Sequence, residues 1–93
     1  MKFLVKDSKY NPVALMRFLG YHQERNGSFA RRLSSARFPR LHVYLNEKNK
    51  VLEISLHLDQ KGACYGGQTA HSGDYEGNIL EQEKKRINKL LEN

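Results

Sequence analysis

Two runs of strict alternation, Leu41–Leu45 and Leu52–Leu58, restrict the folding of this chain more than any other feature. Leu41, Val43 and Leu45 alternate with His42 and Tyr44. Leu52, Ile54, Leu56 and Leu58 alternate with Glu53, Ser55 and His57, and Glu47-Lys48-Asn49-Lys50 reads as the turn between them. A period of two puts every aliphatic side chain on one face of a strand, so the pair reads as an antiparallel hairpin with one buried face. A slip of one residue would carry the whole apolar set into water, which fixes the parity of the pairing. With Asn46 opposite Val51, Leu45 faces Leu52, Val43 faces Ile54 and Leu41 faces Leu56. The opposite face then holds Arg40 beside His57 and His42 beside Ser55, with Tyr44 and Glu53 alongside.

The rest of the chain supplies elements to cover the apolar face. Lys2–Lys6 reads as a short first strand. Asn11-Pro12 is a helix start, with asparagine as N-cap and proline in the first turn. That helix ends either at Gly20 or near Arg25, where Asn26-Gly27 suits a left-handed C-cap better than a hairpin turn. Ser28–Leu33 reads as a further strand. A last helix is expected from Asn78, with Glu81 completing a capping box and Ile79, Leu80, Ile87, Leu90 and Leu91 forming an apolar stripe. The expected fold is α+β: one domain over residues 1–93, with an antiparallel sheet of three or four strands. An N-terminal helix and a C-terminal helix pack on its apolar face.

The net charge of +6 is unevenly placed. Residues 1–50 hold 11 Lys/Arg against 3 Asp/Glu, whereas residues 51–93 hold 5 against 7. Much of the excess is arginine, whose planar fork of donors suits phosphate. Arg31, Arg32, Arg37 and Arg40 are the candidate nucleic-acid contacts, and the expected partner is RNA or another polyanion. A solvated basic surface is the plain alternative. A single cysteine cannot form an internal disulfide, which points to a reducing compartment. No apolar run approaches the roughly 18 residues of a membrane span, and the apolar stretch within the first ten residues is far too short for a signal peptide. A cytoplasmic protein without membrane contact is expected.

Asp59–Asn78 holds five of the seven glycines and the only cysteine, and reads as a long loop between strand and helix. Loops of this length in compact domains are usually functional or disordered. Gly62–Thr69 approaches a phosphate-binding loop, but Gln68 stands where the motif needs lysine, so nucleoside triphosphate hydrolysis is not expected. Cys64 has no flanking residues that mark an activated thiol.

Two kinds of chemistry stay open. Metal-independent cleavage of RNA needs a base, an acid and cations on the phosphate. His42, Tyr44, His57 and Lys61 are its candidate catalytic residues. The alternative is a metal or small-ligand site built from His57, Asp59, His71 and Asp74, since imidazole with carboxylate suits several transition metals. The leading reading needs no cofactor. A third reading is a non-catalytic domain whose loop docks a protein partner or a second copy of the chain.

The run Leu41–Lys61 resembles the last two strands of the small basic RNase toxins of the RelE/HigB type, and Lys85-Arg86 stands where their closing helix carries a similar pair. That resemblance implies a strand, one or two helices, an antiparallel sheet and a closing helix. It also implies RNA-contacting or catalytic roles for His57, Lys61 and Tyr65. The loop departs from it, being about twice the family's usual link and carrying acidic residues. Leu56–Lys61, His71–Gly77 and Glu83–Ile87 are together similar to a signature of small uncharacterised bacterial proteins, which implies no function.

Overall fold

The computed structural model describes residues 1–6, 11–60 and 69–92, with side chains in the final helix described from Glu76 onward. Five strands and two helices follow in the order β1 (Lys2–Lys6), α1 (Pro12–Phe18), β2 (His22–Gln23), β3 (Phe29–Arg32), β4 (Arg40–Lys48), β5 (Val51–Asp59) and α2 (Thr69–Leu91). The strands form one antiparallel sheet in the spatial order β1-β5-β4-β3-β2. The class is the expected α+β, but the sheet has five strands rather than three or four.

The extra strand comes from residues 21–27, which the sequence reading gave to a helix end. Helix α1 begins as expected, with the Asn11 side chain accepting from the Ala14 amide at 2.8 Å. It stops at Gly20, where φ of +97° suits glycine and the Gly20 and Tyr21 amides donate back to Arg17 and Met16. Asn26-Gly27 is therefore a hairpin turn and not a cap. The Gly27 amide bonds Glu24 O, Gly27 takes φ of +93°, and the Glu24 amide bonds Ser28 O at 2.7 Å, which is a turn closed by a glycine bulge.

The central hairpin keeps the expected parity but not the expected register. His42 lies opposite His57, Val43 opposite Leu56 and Leu45 opposite Ile54, two residues away from the pairing read from the sequence. Both strands run through to Lys48 and Val51, so the connection shrinks to Asn49 and Lys50, at φ of +52° and +67°. Two consecutive left-handed residues match the right-handed twist of the flanking strands. A shift of two leaves every side chain on its face, which is why alternation alone could not detect it.

One face of the sheet is covered. Phe3, Val5, Phe29, Leu41, Val43, Leu52, Ile54, Leu56 and Leu58 form a single core with Leu15, Met16 and Leu19 of α1 and Ile87 of α2. Full burial of each large aliphatic chain contributes roughly 1.5–3 kcal/mol. Helix α2 starts at Thr69 rather than Asn78, so residues 69–78 are helical and Asn78 is an exposed position inside the helix instead of a cap. Gly73 and Gly77 each cost about 1 kcal/mol there relative to alanine, but extending a helix is far less costly than nucleating one.

A candidate nucleic-acid interface on the uncovered sheet face

Among the described residues neither helix covers the other face of the sheet, and apart from Glu53, opposite Leu4, the polar side chains that matter there fall into two groups. The first is a bonded network built around Arg40, His42 and Asp59. Arg40 and Asp59 are direct partners across β4 and β5, and His42 is the next outward-facing residue on β4. Arg40 donates to Glu24 Oε1 at 2.6 Å and to Asp59 Oδ2 at 3.3 Å. His42 Nδ1 lies 2.7 Å from the same Asp59 oxygen, and His42 Nε2 lies 2.6 Å from Ser28 Oγ. Burial of Ser28 and His42 makes these bonds costly to lose.

The series Ser28–His42–Asp59 has the spacing of a nucleophile, base and orienting acid, but its hydrogen-bond sense differs. The Ser28 amide donates to Asn26 Oδ1 at 3.0 Å, which fixes that atom as the acceptor. Ser28 Oγ, 2.6 Å from the same atom, must therefore donate its proton to Asn26 and accept from His42. An imidazole that donates to the hydroxyl is not its base. The series ties the β2–β3 turn to β4 and β5.

The second group is open. Tyr44 is 48% exposed at the middle of the face. Its ring stacks on His42 with centroids 4.8 Å apart and planes at 25°, and the exposed His57 ring meets it edge-on at 5.7 Å. His57 Nε2 lies 3.0 Å from Ser55 Oγ. Lys2, Lys6 and Arg32 are exposed on the same face, and among the described residues none of them has a carboxylate within ion-pair distance.

The residues singled out from the sequence are thus divided. His42, Tyr44 and His57 come together as a ring cluster. Arg32 and Arg40 share the open face, and Arg40 is enclosed by Glu24, Asp59 and the Phe38 ring, whose centroid is 5.2 Å from its guanidinium carbon. Arg37 lies in the connection between β3 and β4, also over Phe38. Arg31 points to the covered face, where it lies 3.7 Å from Glu83, so the four arginines do not form one cluster. Lys61, Cys64, Tyr65 and the glycine-rich run to Gln68 lie outside the described residues. His57 and Asp59 share one strand face, and His71 and Asp74 lie on the α2 backbone with their side chains outside the described residues. Among the described residues no group of three or more metal-ligating side chains gathers.

Sequence reasoning missed a second polar cluster, on the covered face. Glu83 accepts from Tyr21 Oη at 2.6 Å and from Arg86 Nε and Nη2, each at 2.8 Å, while Arg86 Nη2 also donates to Leu19 O at 2.6 Å. Burial, then the bond to Glu83, holds the Tyr21 phenol far above the usual tyrosine range. The bond to Glu83 raises Arg86 further, against the opposing effect of burial. A signal was present: Glu83 stands between Leu80 and Ile87 in the stripe of α2, where an apolar residue belongs. The cluster joins α2 to β3 and to the end of α1.

No helix among the described residues is long and apolar enough to cross a membrane. Comparison with family models, curated proteins and solved structures finds no match to this chain, so the reading of the site rests on its own residues.

Proposed function

We propose that this domain binds RNA through the uncovered face of its sheet, and that it holds RNA rather than cutting it. The observation that carries the reading is the division of charge on that face. Glu24 and Asp59 are engaged by Arg40 and His42, and Glu53 lies on the same face opposite Leu4. Lys2, Lys6 and Arg32 stand exposed with no carboxylate partner among the described residues, so exposed cations outnumber the one carboxylate left unengaged there. A face so arranged attracts a polyanion through cations it has not already neutralised. The reading keeps the RNA half of the toxin resemblance and sets aside its catalytic half. Cleavage needs a side chain free to move a proton. Both ring nitrogens of His42 are hydrogen-bonded within the network, so of the two imidazoles in the ring cluster only the exposed His57 is open to move a proton, where cleavage calls for both a base and an acid. A cytoplasmic setting, with its reduced thiols and abundant RNA, suits such a domain.

Fluorescence anisotropy with a labelled RNA across a salt series tests it. Neutralising three phosphates on a single strand gives a log–log salt slope of about −2. Lys2→Ala with Arg32→Ala flattens that slope, and the RNA is recovered intact. Absence of RNA binding by the unmodified protein at low salt overturns the proposal.

A further inference from the structure

We infer, on the footing of that RNA reading, that the strand held here is single-stranded, with one base stacked on the open side of Tyr44 and its neighbour on His57. Tyr44 occupies a central strand of the face that the described residues leave uncovered, and it keeps about half of its surface in water, where its ring is open to a stacking partner. One side of the ring is already taken by His42, stacked at 4.8 Å. That imidazole is fixed in turn by Asp59 at 2.7 Å and by Ser28 at 2.6 Å. The platform is therefore rigid before anything binds, and little side-chain freedom is lost on contact. His57 stands on the next strand, exposed, with its ring plane at 77° to that of Tyr44 and its centroid 5.7 Å away, so it offers a second surface at an angle to the first.

The shape selects the nucleic acid. Inside a duplex the faces of the bases are hidden against one another, and a flat sheet cannot reach them. An unpaired strand can splay its bases onto aromatic rings while its phosphates run along the cations. Lys2 on β1 and Arg32 on β3 stand on either side of the β4–β5 rings, so a backbone crossing the strands meets a cation on each side. Stacking is indifferent to base identity, since every base has a π-face, so the preference is for unpaired RNA and not for a particular sequence.

The chain has no tryptophan, so Tyr44→Trp places a single reporter on the platform. Titration with an unstructured RNA is expected to quench that reporter, and titration with a duplex of the same length is not. Tyr44→Ala is expected to weaken single-strand binding by about tenfold or more while leaving the salt slope in place. Tyr44→Phe, which keeps the ring, recovers that loss, and circular dichroism checks that each variant is folded. Equal affinity for duplex and single strand, or an unaffected Tyr44→Ala variant, overturns the inference while the RNA reading stands. Failure of the unmodified protein to bind either RNA at low salt overturns both.

Discussion

His42 Nδ1 meets Asp59 Oδ2 at 2.7 Å diagonally across β4 and β5, although the residue directly opposite His42 in the register is His57. Diagonal neighbours on one sheet face are within reach of long and aromatic side chains. The diagonal lets one carboxylate serve Arg40 and His42 together. Asp59→Ala is therefore expected to lower unfolding free energy by about 1–2 kcal/mol, since two donors lose a charged acceptor in a partly buried setting. It also removes a negative charge from the proposed RNA face while Arg40 keeps its bond to Glu24, so affinity for RNA should rise. Urea unfolding and the anisotropy titration read the two effects separately, and a fall in both would contradict this account.

Glu83 is 5% exposed and accepts from Tyr21 and, through two nitrogens, from Arg86. Removing one partner of a buried pair leaves the other charge uncompensated. Glu83→Gln is expected to cost about 3 kcal/mol. Tyr21→Phe removes a single neutral donor and should cost about 1–2 kcal/mol. Thermal or urea denaturation should rank the two in that order.

Tyr21 also sets an alkaline limit on stability. Its phenol is held far above the ordinary value of 10.0, first by burial and then by Glu83. With the folded value raised, the unfolded chain ionises first as pH rises. The stabilisation is fully present below about pH 10 and is lost progressively above it. Stability measured from about pH 9 to pH 11 should fall in the unmodified protein and fall less steeply in Tyr21→Phe. Identical slopes would remove Tyr21 as the cause.

The turn between β4 and β5 holds Lys50 at φ of +67°, a conformation that L side chains other than asparagine and aspartate seldom adopt. Lys50→Gly keeps the left-handed geometry, relieves the Cβ and gives the favoured Asn-Gly pair. A gain of about 0.5–1 kcal/mol is expected, after the extra chain entropy of glycine in the unfolded state is allowed for. A loss would mean that Lys50 makes a contact which outweighs its strain.

Gly77 lies in α2 with nothing within 4 Å of the position a Cβ would take. Gly77→Ala should therefore stabilise the helix by about 0.5–1 kcal/mol, read as a higher melting temperature.

The covered face of this fold could be read from the alternation of Leu41–Leu58, because burial on one side dictates a period of two. The cap at Asn11-Pro12 was equally legible, since it depends on neighbouring residues alone, and the alternation of Phe3 and Val5 with lysines and Leu4 marked the first strand without naming its partner. What escaped depends on residues distant in the chain. Asn26-Gly27 fits both a helix cap and a hairpin turn, its flanks favoured the cap, and the pairing of His22 with Ala30 decides for the turn. Parity could not reveal the two-residue shift that sets His42 against His57. The ring cluster on the open face was therefore legible in its members but not in its contacts. Arg31 and Arg32 look alike in sequence, yet adjacent strand positions point to opposite faces, so only Arg32 reaches the open side.

The placement of β1 carries a consequence for the order in which the molecule assembles. Lys2 pairs with Ser55 and the Met1 amino group donates to Leu56 O at 3.0 Å, so β1 has a partner that is made long after it. The β4–β5 hairpin closes through a two-residue turn and needs no distant partner. Closing the long loop is entropically costly until that hairpin exists to receive β1. A newly made chain must hold Phe3 and Val5 in water until β5 has emerged. Trimming Val5 to alanine should then speed unfolding more than it slows folding, whereas trimming Leu56 should slow folding.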